Sequence, residues 1–227
     1  MKRGKFIVFE GIEGSGKSTQ TKMLSDYFKS NNIWVHQTRE ASDGPIGKML
    51  RETYLSGKRK VDTRIINLLY VPDRLDHITN EEDGILSILE SGINVISDRY
   101  YMSSAAIHSS LFFDDNRERL KAMVDIIEMN KINIDLLQPD VTFFIDVDPA
   151  LTSNRIKERG EAVSIFDNYD NMLKQQVCYN SAISYIESNF GETIIRIDGN
   201  RSPEEIHTDV VKKLNELFIF TKIGERG

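Results

Sequence analysis

Near its start the chain reads FIVFEGIEGSGKSTQTKML, Phe6 to Leu24. A short apolar run breaks into a glycine-rich turn, then resumes with Met23, Leu24, Tyr27 and Phe28 at helical spacing. Gly11, four residues, then Gly16-Lys17-Ser18 is the spacing of a phosphate-binding loop. Gly14 and Gly16 let backbone N–H groups turn inward, the Lys17 ammonium reaches the outer phosphates, and the Ser18 hydroxyl can ligate magnesium. The phosphate then lies at a helix N-terminus, where unpaired N–H groups and the helix dipole both favour negative charge. Such a loop needs a strand in front and a helix behind, and the pattern supplies both. ATP or GTP is the expected ligand, with Glu13, Ser15 and Thr19 inside its footprint.

The rest of the chain repeats the alternation. β-branched apolar runs fall at 5–10, 33–38, 93–98, 141–146 and 193–198. Helical periodicity falls near 17–31, 45–56, 63–80, 82–91, 115–130, 149–159, 168–189 and 203–217. This predicts an α/β fold of the P-loop NTPase type, a five-stranded parallel sheet with helices on both faces. Acids stand at the carboxyl ends of runs, and the second ends in a threonine just before Arg39, which is where open sheets of this kind place their ligand crevice. With 227 residues and no linker composition, one domain over 1–227 is expected, with a C-terminal tail at 218–227 made of a short apolar patch and a polar end, packed or frayed.

Composition removes other classes. A formal charge of −6, from 29 basic and 35 acidic residues, gives no cationic field for nucleic acid. The single cysteine, Cys178, excludes an internal disulfide or a multi-cysteine metal site, and reads as half-buried helix packing in a reducing compartment. No apolar span reaches membrane length and the N-terminal run is too short for a signal peptide, so a cytoplasmic protein with no membrane partner is expected. NKIN at 130–133 is similar to a guanine-specificity motif but lacks its acid and its preceding strand.

Other residues invite chemistry and have plainer readings beside it. Arg39, at a strand end, offers a planar fork for a second phosphate, or is a surface arginine. Tyr70 and Arg74 share a helix face, as core or as a base platform beside donors. Asp98-Arg99 is either a structural ion pair or a carboxylate near magnesium with an arginine spanning phosphates. RIKERG, 155–160, is a solvated helix face or the start of a lid. Ser202 with Glu205 makes a capping box that by itself explains a helix start.

FEGIEGSGKST, TRE (38–40), LLYVPDRLDH (68–77), SDRYYMSS (97–104) and RIKERG together resemble the thymidylate kinase family of nucleoside monophosphate kinases, over nearly the whole chain. The resemblance implies transfer of the γ-phosphoryl group from ATP-Mg²⁺ to dTMP, with Ser18 and Asp98 at the metal. It implies that Arg39 and Arg99 hold the acceptor phosphate, that Tyr70 stacks on thymine, and that Arg74 hydrogen-bonds its carbonyl. Ser103, Ser104 and His108 would line the nucleotide, and Glu13 would contact Arg99 and the sugar 3′-hydroxyl. Arg155 would stack on the donor adenine, with Gly199 and Asn200 as backbone contacts. Lys157 and Arg159, in a lid at about 155–168, would join Lys17 and Arg99 as catalytic cations, because Ile12 to Ser15 bring no second cation to the loop. A homodimer is also implied. The sequence departs from the family pattern at ASDGP (41–45), Ile107 and Ile165. The alternatives are a deoxynucleoside kinase, which would need a carboxylate base and no Arg39, and a P-loop protein that binds nucleotide without turnover.

Overall fold

β1 (Phe6–Glu10) is wholly buried, because its side chains alternate between two separate cores. Phe6 and Val8 join one apolar cluster, Ile7 and Phe9 the other, as expected for a strand covered on both faces. A computed structural model describes residues 2–55, 62–112, 115–158 and 169–220. Its sheet has five parallel strands in the order β2-β3-β1-β4-β5, the others being β2 (Val35–Arg39), β3 (Asn94–Asp98), β4 (Val141–Asp146) and β5 (Ile194–Asp198). All five strands lie within two residues of the expected runs.

In chain order the α-helices are α1 (Lys17–Ser30), α2 (Pro45–Met49), α3 (Thr63–Thr79), α4 (Ile85–Glu90), α5 (Tyr101–Ser103), α6 (Ser109–Phe112), α7 (Asn116–Met129), α8 (Lys131–Leu136), α9 (Pro149–Glu158), α10 (Tyr169–Phe190) and α11 (Pro203–Leu217). Leu24 and Phe28 of α1 and Ile206, Val210 and Leu214 of α11 cover the Ile7–Phe9 face. Ile126 and Ile127 of α7 and Met172, Tyr179, Ile183 and Ile186 of α10 cover the other. The capping box at α11 is present, with Ser202 Oγ accepting from Glu205 N–H at 3.3 Å.

Three expectations need correction. The helix expected over 45–56 is α2 running into a π-helix at Leu50–Leu55. Helix also fills Tyr101–Phe112, through a second π-helical stretch at Ser104–His108, and again α8, where none was expected. YYMSSAAIHSS is buried at nearly every position, so no polar face marks its period. Cys178 is fully buried rather than half-buried. Phe218 and Phe220 of the expected tail pack against the α1 side, Phe28 and Phe220 lying 4.8 Å apart. No described helix is long and apolar enough to cross a membrane.

Candidate active site

The loop after β1 turns through residues that only glycine tolerates. Gly16 has φ of 100° and caps α1, while a Cβ on Gly11 would stand 2.8 Å from Ile145 O. Lys17 folds over the loop and donates from Nζ to Ile12 O at 2.7 Å. Burial, then the Arg99 charge, pushes its ammonium down to about 8. Ser18 and Thr19 are exposed at the open end of α1, whereas Ser15 is buried. Ser18 Oγ donates to Asp98 Oδ2, and Asp98 Oδ1 is buried without a partner among the described residues. A hydroxyl and a carboxylate with a spare oxygen are the hard donors that magnesium takes, so this pair fits such an ion. No cluster of three or more acid, histidine or cysteine side chains suited to a metal occurs among the described residues.

Beside the loop opens a cavity of about 380 Å³. Glu13, Arg39 and Arg99 stand on its wall, as do Tyr70 and Arg74 from α3 and Ser103, Ser104 and His108 from the helix after β3. Of the acceptor-side residues expected from sequence, Asp98 alone does not line it, because its side chain is engaged by Ser18.

Four arginines line this cavity, Arg39, Arg51, Arg74 and Arg99. Arg39 and Arg51 both bind Asp43, at 3.0 and 2.8 Å, and the hydrogen bond from Arg39 is the chief cause that lowers the Asp43 carboxyl. Arg99 is held at φ 76°, with Nη2 on Glu13 Oε2 at 2.5 Å and Nη1 on Gly11 O at 3.1 Å. The Lys17 charge, followed by that of Arg99, holds the Glu13 carboxyl down at about 2. Glu13 therefore remains ionised among cations, which answers why an acid sits in a phosphate loop.

The lining also carries two uncharged rings. The Tyr70 and His108 rings lie 5.6 Å apart. Burial pushes the Tyr70 phenol up to about 12; burial, then Arg74 and Arg99, pushes the His108 imidazole down to about 4. Arg74 is more committed than the sequence suggested. Four of its five N–H groups reach Glu40, Asn130 and Ser104, leaving one Nη1–H for a ligand among the described residues. Ser103 lines the cavity, but its hydroxyl is turned inward to Glu10 Oε2.

At the donor end, Arg155 Nη2 donates to Gly199 O at 3.2 Å, bringing α9 onto the turn after β5. Asn200 Oδ1 accepts from Asp148 N–H at 2.9 Å, so its side chain builds the turn and its backbone is what remains for a ligand. The Lys157 side chain, Arg159, Ile165 and the lid from 159 onward lie outside the described residues. Sequence reading missed Arg51, Glu40 and Gln175 on the cavity wall. A signal existed for two of them: Glu40 abuts Arg39, and Arg51 follows on the helix that the Gly44-Pro45 turn begins.

The thymidylate kinase family model matches residues 9–210, which span the loop, the cavity and the turn after β5. The chain belongs to the thymidylate kinase family. It is 33% identical to the thymidylate kinase of Plasmodium falciparum, covering 96% of this chain and 93% of that one. It is 33% identical to that of Halothermothrix orenii, covering 96% and 99%, and 32% identical to that of Carboxydothermus hydrogenoformans, covering 92% and 95%. The thymidylate kinase match therefore reaches both ends of the site.

Proposed function

We propose that this protein is a dTMP kinase, taking the γ-phosphoryl group of ATP and giving dTDP. One observation carries the reading: the cavity next to the phosphate loop is lined by arginines 39, 51 and 99 and by the neutral Tyr70 and His108 rings. That is the polarity of a nucleoside monophosphate, a dianion at one end and a flat base at the other.

In this reading the loop N–H groups and Lys17 hold the donor phosphates. Arg39 and Arg99 hold the acceptor phosphate in line, Tyr70 stacks on thymine, the last Arg74 N–H meets its carbonyl, and Ser104 and His108 close the wall. Glu13 orients Arg99 and takes the sugar 3′-hydroxyl. Catalysis is positioning plus charge neutralisation by Lys17 and Arg99, with Lys157 and Arg159 as the lid cations. Magnesium, held by Ser18 and Asp98, would supply further neutralisation of the transferring oxygens. No base is needed, because the acceptor phosphate is already ionised at neutral pH. Arg155 with Gly199 and Asn200 would hold the adenine. We further read residues 1–227 as one cytoplasmic domain acting as a homodimer; exposed Leu68 on α3 and Ile132 and Leu136 on the adjoining α8 support the dimer.

The test is ADP release with ATP-Mg²⁺ and a panel of nucleosides and monophosphates. dTMP is expected to outperform thymidine and dCMP by a wide margin. Faster turnover of thymidine would make the protein a nucleoside kinase, and no release with any acceptor would leave a nucleotide-binding protein without turnover.

A further inference from the structure

Tyr179 sits fully buried on α10, its ring against Phe144 with centroids 5.2 Å apart. Ring packing alone would be met by phenylalanine. The hydroxyl instead stands among four polar atoms from separate segments: Ser103 Oγ at 2.9 Å, Gly11 O at 3.1 Å, Glu10 Oε2 at 3.2 Å and Arg99 Nη1 at 3.4 Å. A phenol has one proton and two lone pairs. Gly11 O only accepts, and Ser103 spends its proton on Glu10 Oε2 at 2.5 Å. The Tyr179 proton therefore goes toward Gly11, Glu10 or Ser103, and a lone pair faces Arg99.

Glu10 anchors this group. Its Oε1 accepts the N–H groups of Tyr100 at 2.8 Å and Ser103 at 3.1 Å, capping the helix that follows β3. Arg99 leaves the sheet between these atoms in a left-handed conformation, which a non-glycine residue keeps only where its surroundings fix it. Its Nη1 is taken by Gly11 O, Ser103 Oγ and Tyr179 Oη, and one Nη2–H by Glu13. Nε–H and the second Nη2–H have no protein acceptor among the described residues, and Arg99 lines the cavity, so these two donors remain for a phosphate there.

We infer that Tyr179 is a positioning residue for the acceptor phosphate: with Glu10 and Ser103 it fixes the rotation of the Arg99 guanidinium so that its Nε/Nη2 fork faces the cavity. The inference rests on the reading above in which Arg99 binds that phosphate. It ties the guanidinium to Gly11 O as well, so one hydroxyl holds the acceptor cation in register with the donor loop.

The experiment compares Kd for dTMP and for thymidine by calorimetry, in the wild type and in Tyr179→Phe. The ratio of the two constants isolates the phosphate contact, which general loosening would not change. In the variant the ratio is expected to shrink about tenfold, the scale of a hydrogen bond to a charged group, with thymidine affinity nearly unchanged. kcat should fall with the ATP KM unaltered. An unchanged ratio in Tyr179→Phe, or equal weakening of both ligands, overturns the inference and leaves the dTMP reading standing. A wild type that binds both ligands equally overturns the phosphate reading and this inference with it. Should Tyr179→Phe not fold, Ser103→Ala is read by the same ratio: a smaller ratio supports the inference and an unchanged one overturns it.

Discussion

Glu40 and Arg74 form an ion pair in which neither side chain meets solvent, with Arg74 Nε 2.7 Å from Glu40 Oε2. The pair joins the end of β2 to α3, and Asp73 doubles the joint by accepting from Ser42 N–H at 2.9 Å and Ser42 Oγ at 2.6 Å. Removing one member strands a buried charge. Glu40→Ala is therefore expected to cost about 3–5 kcal/mol of stability and to raise the dTMP KM, because Arg74 loses its seat. Urea unfolding with initial-rate kinetics checks both; a variant of wild-type stability would mean that water enters and solvates the guanidinium.

Lys17 places function against stability. Its ammonium is pushed down to about 8 in the folded protein against 10.5 in an unfolded chain, chiefly by burial. A depressed lysine leaves the unfolded chain the better proton binder between those values, so this residue lowers stability at neutral pH and the deficit fades as pH rises toward 10.5. Lys17→Met is expected to lose roughly 10³-fold or more in turnover while gaining about 1–3 kcal/mol at pH 7. Chemical denaturation at pH 7 and pH 10 should show the gain shrinking at the higher pH. Near-normal turnover by the folded variant would remove the phosphate loop from the mechanism.

The sheet was legible because its three central strands, β1, β3 and β4, are buried and read as apolar runs bounded by turns, as with VTFFID at Val141–Asp146. The loop was legible because its chemistry fixes residue types at fixed spacing. What stayed hidden depends on partners distant in sequence. Arg74 looked like a free fork beside Tyr70, and only the fold brings Glu40 and Asn130 to it. Glu10 looked like one more acid at a strand end until four donors from elsewhere closed on it. The helix at Tyr101–Phe112 gave no period because both its sides are covered.

Glu192 carries a pH dependence remote from the cavity. Thr142 Oγ1 and Tyr101 Oη each donate to its carboxyl at 2.5 Å, yet burial holds it up at about 7. A carboxyl raised in the folded state favours the native form below the unfolded value of 4.5, and that benefit is lost as pH rises through 7. Between pH 5 and pH 8 the wild type should therefore lose about 2–3 kcal/mol relative to Glu192→Gln. Urea midpoints across that range test it, and parallel profiles for the two proteins would place the titration elsewhere.

Arg155 and Arg159 should separate by kinetic signature. Arg155 is half-buried and spends one N–H on Gly199 O, which sets its guanidinium over the turn after β5, where the adenine would lie. A residue that grips the donor equally in ground and transition states changes KM alone. Arg155→Ala is thus expected to raise the ATP KM by about tenfold at nearly constant kcat, the cost of one good stacking or hydrogen-bonding contact. A cation that meets charge only during transfer behaves otherwise, and Arg159→Ala should lower kcat strongly, toward the roughly 10³-fold scale of an arginine finger, with little change in KM. Steady-state kinetics of both variants, with folding checked by circular dichroism, reads the contrast directly. Uniformly mild effects would return RIKERG to a solvated helix face and leave Arg99 beside Lys17 as the cations that carry transfer.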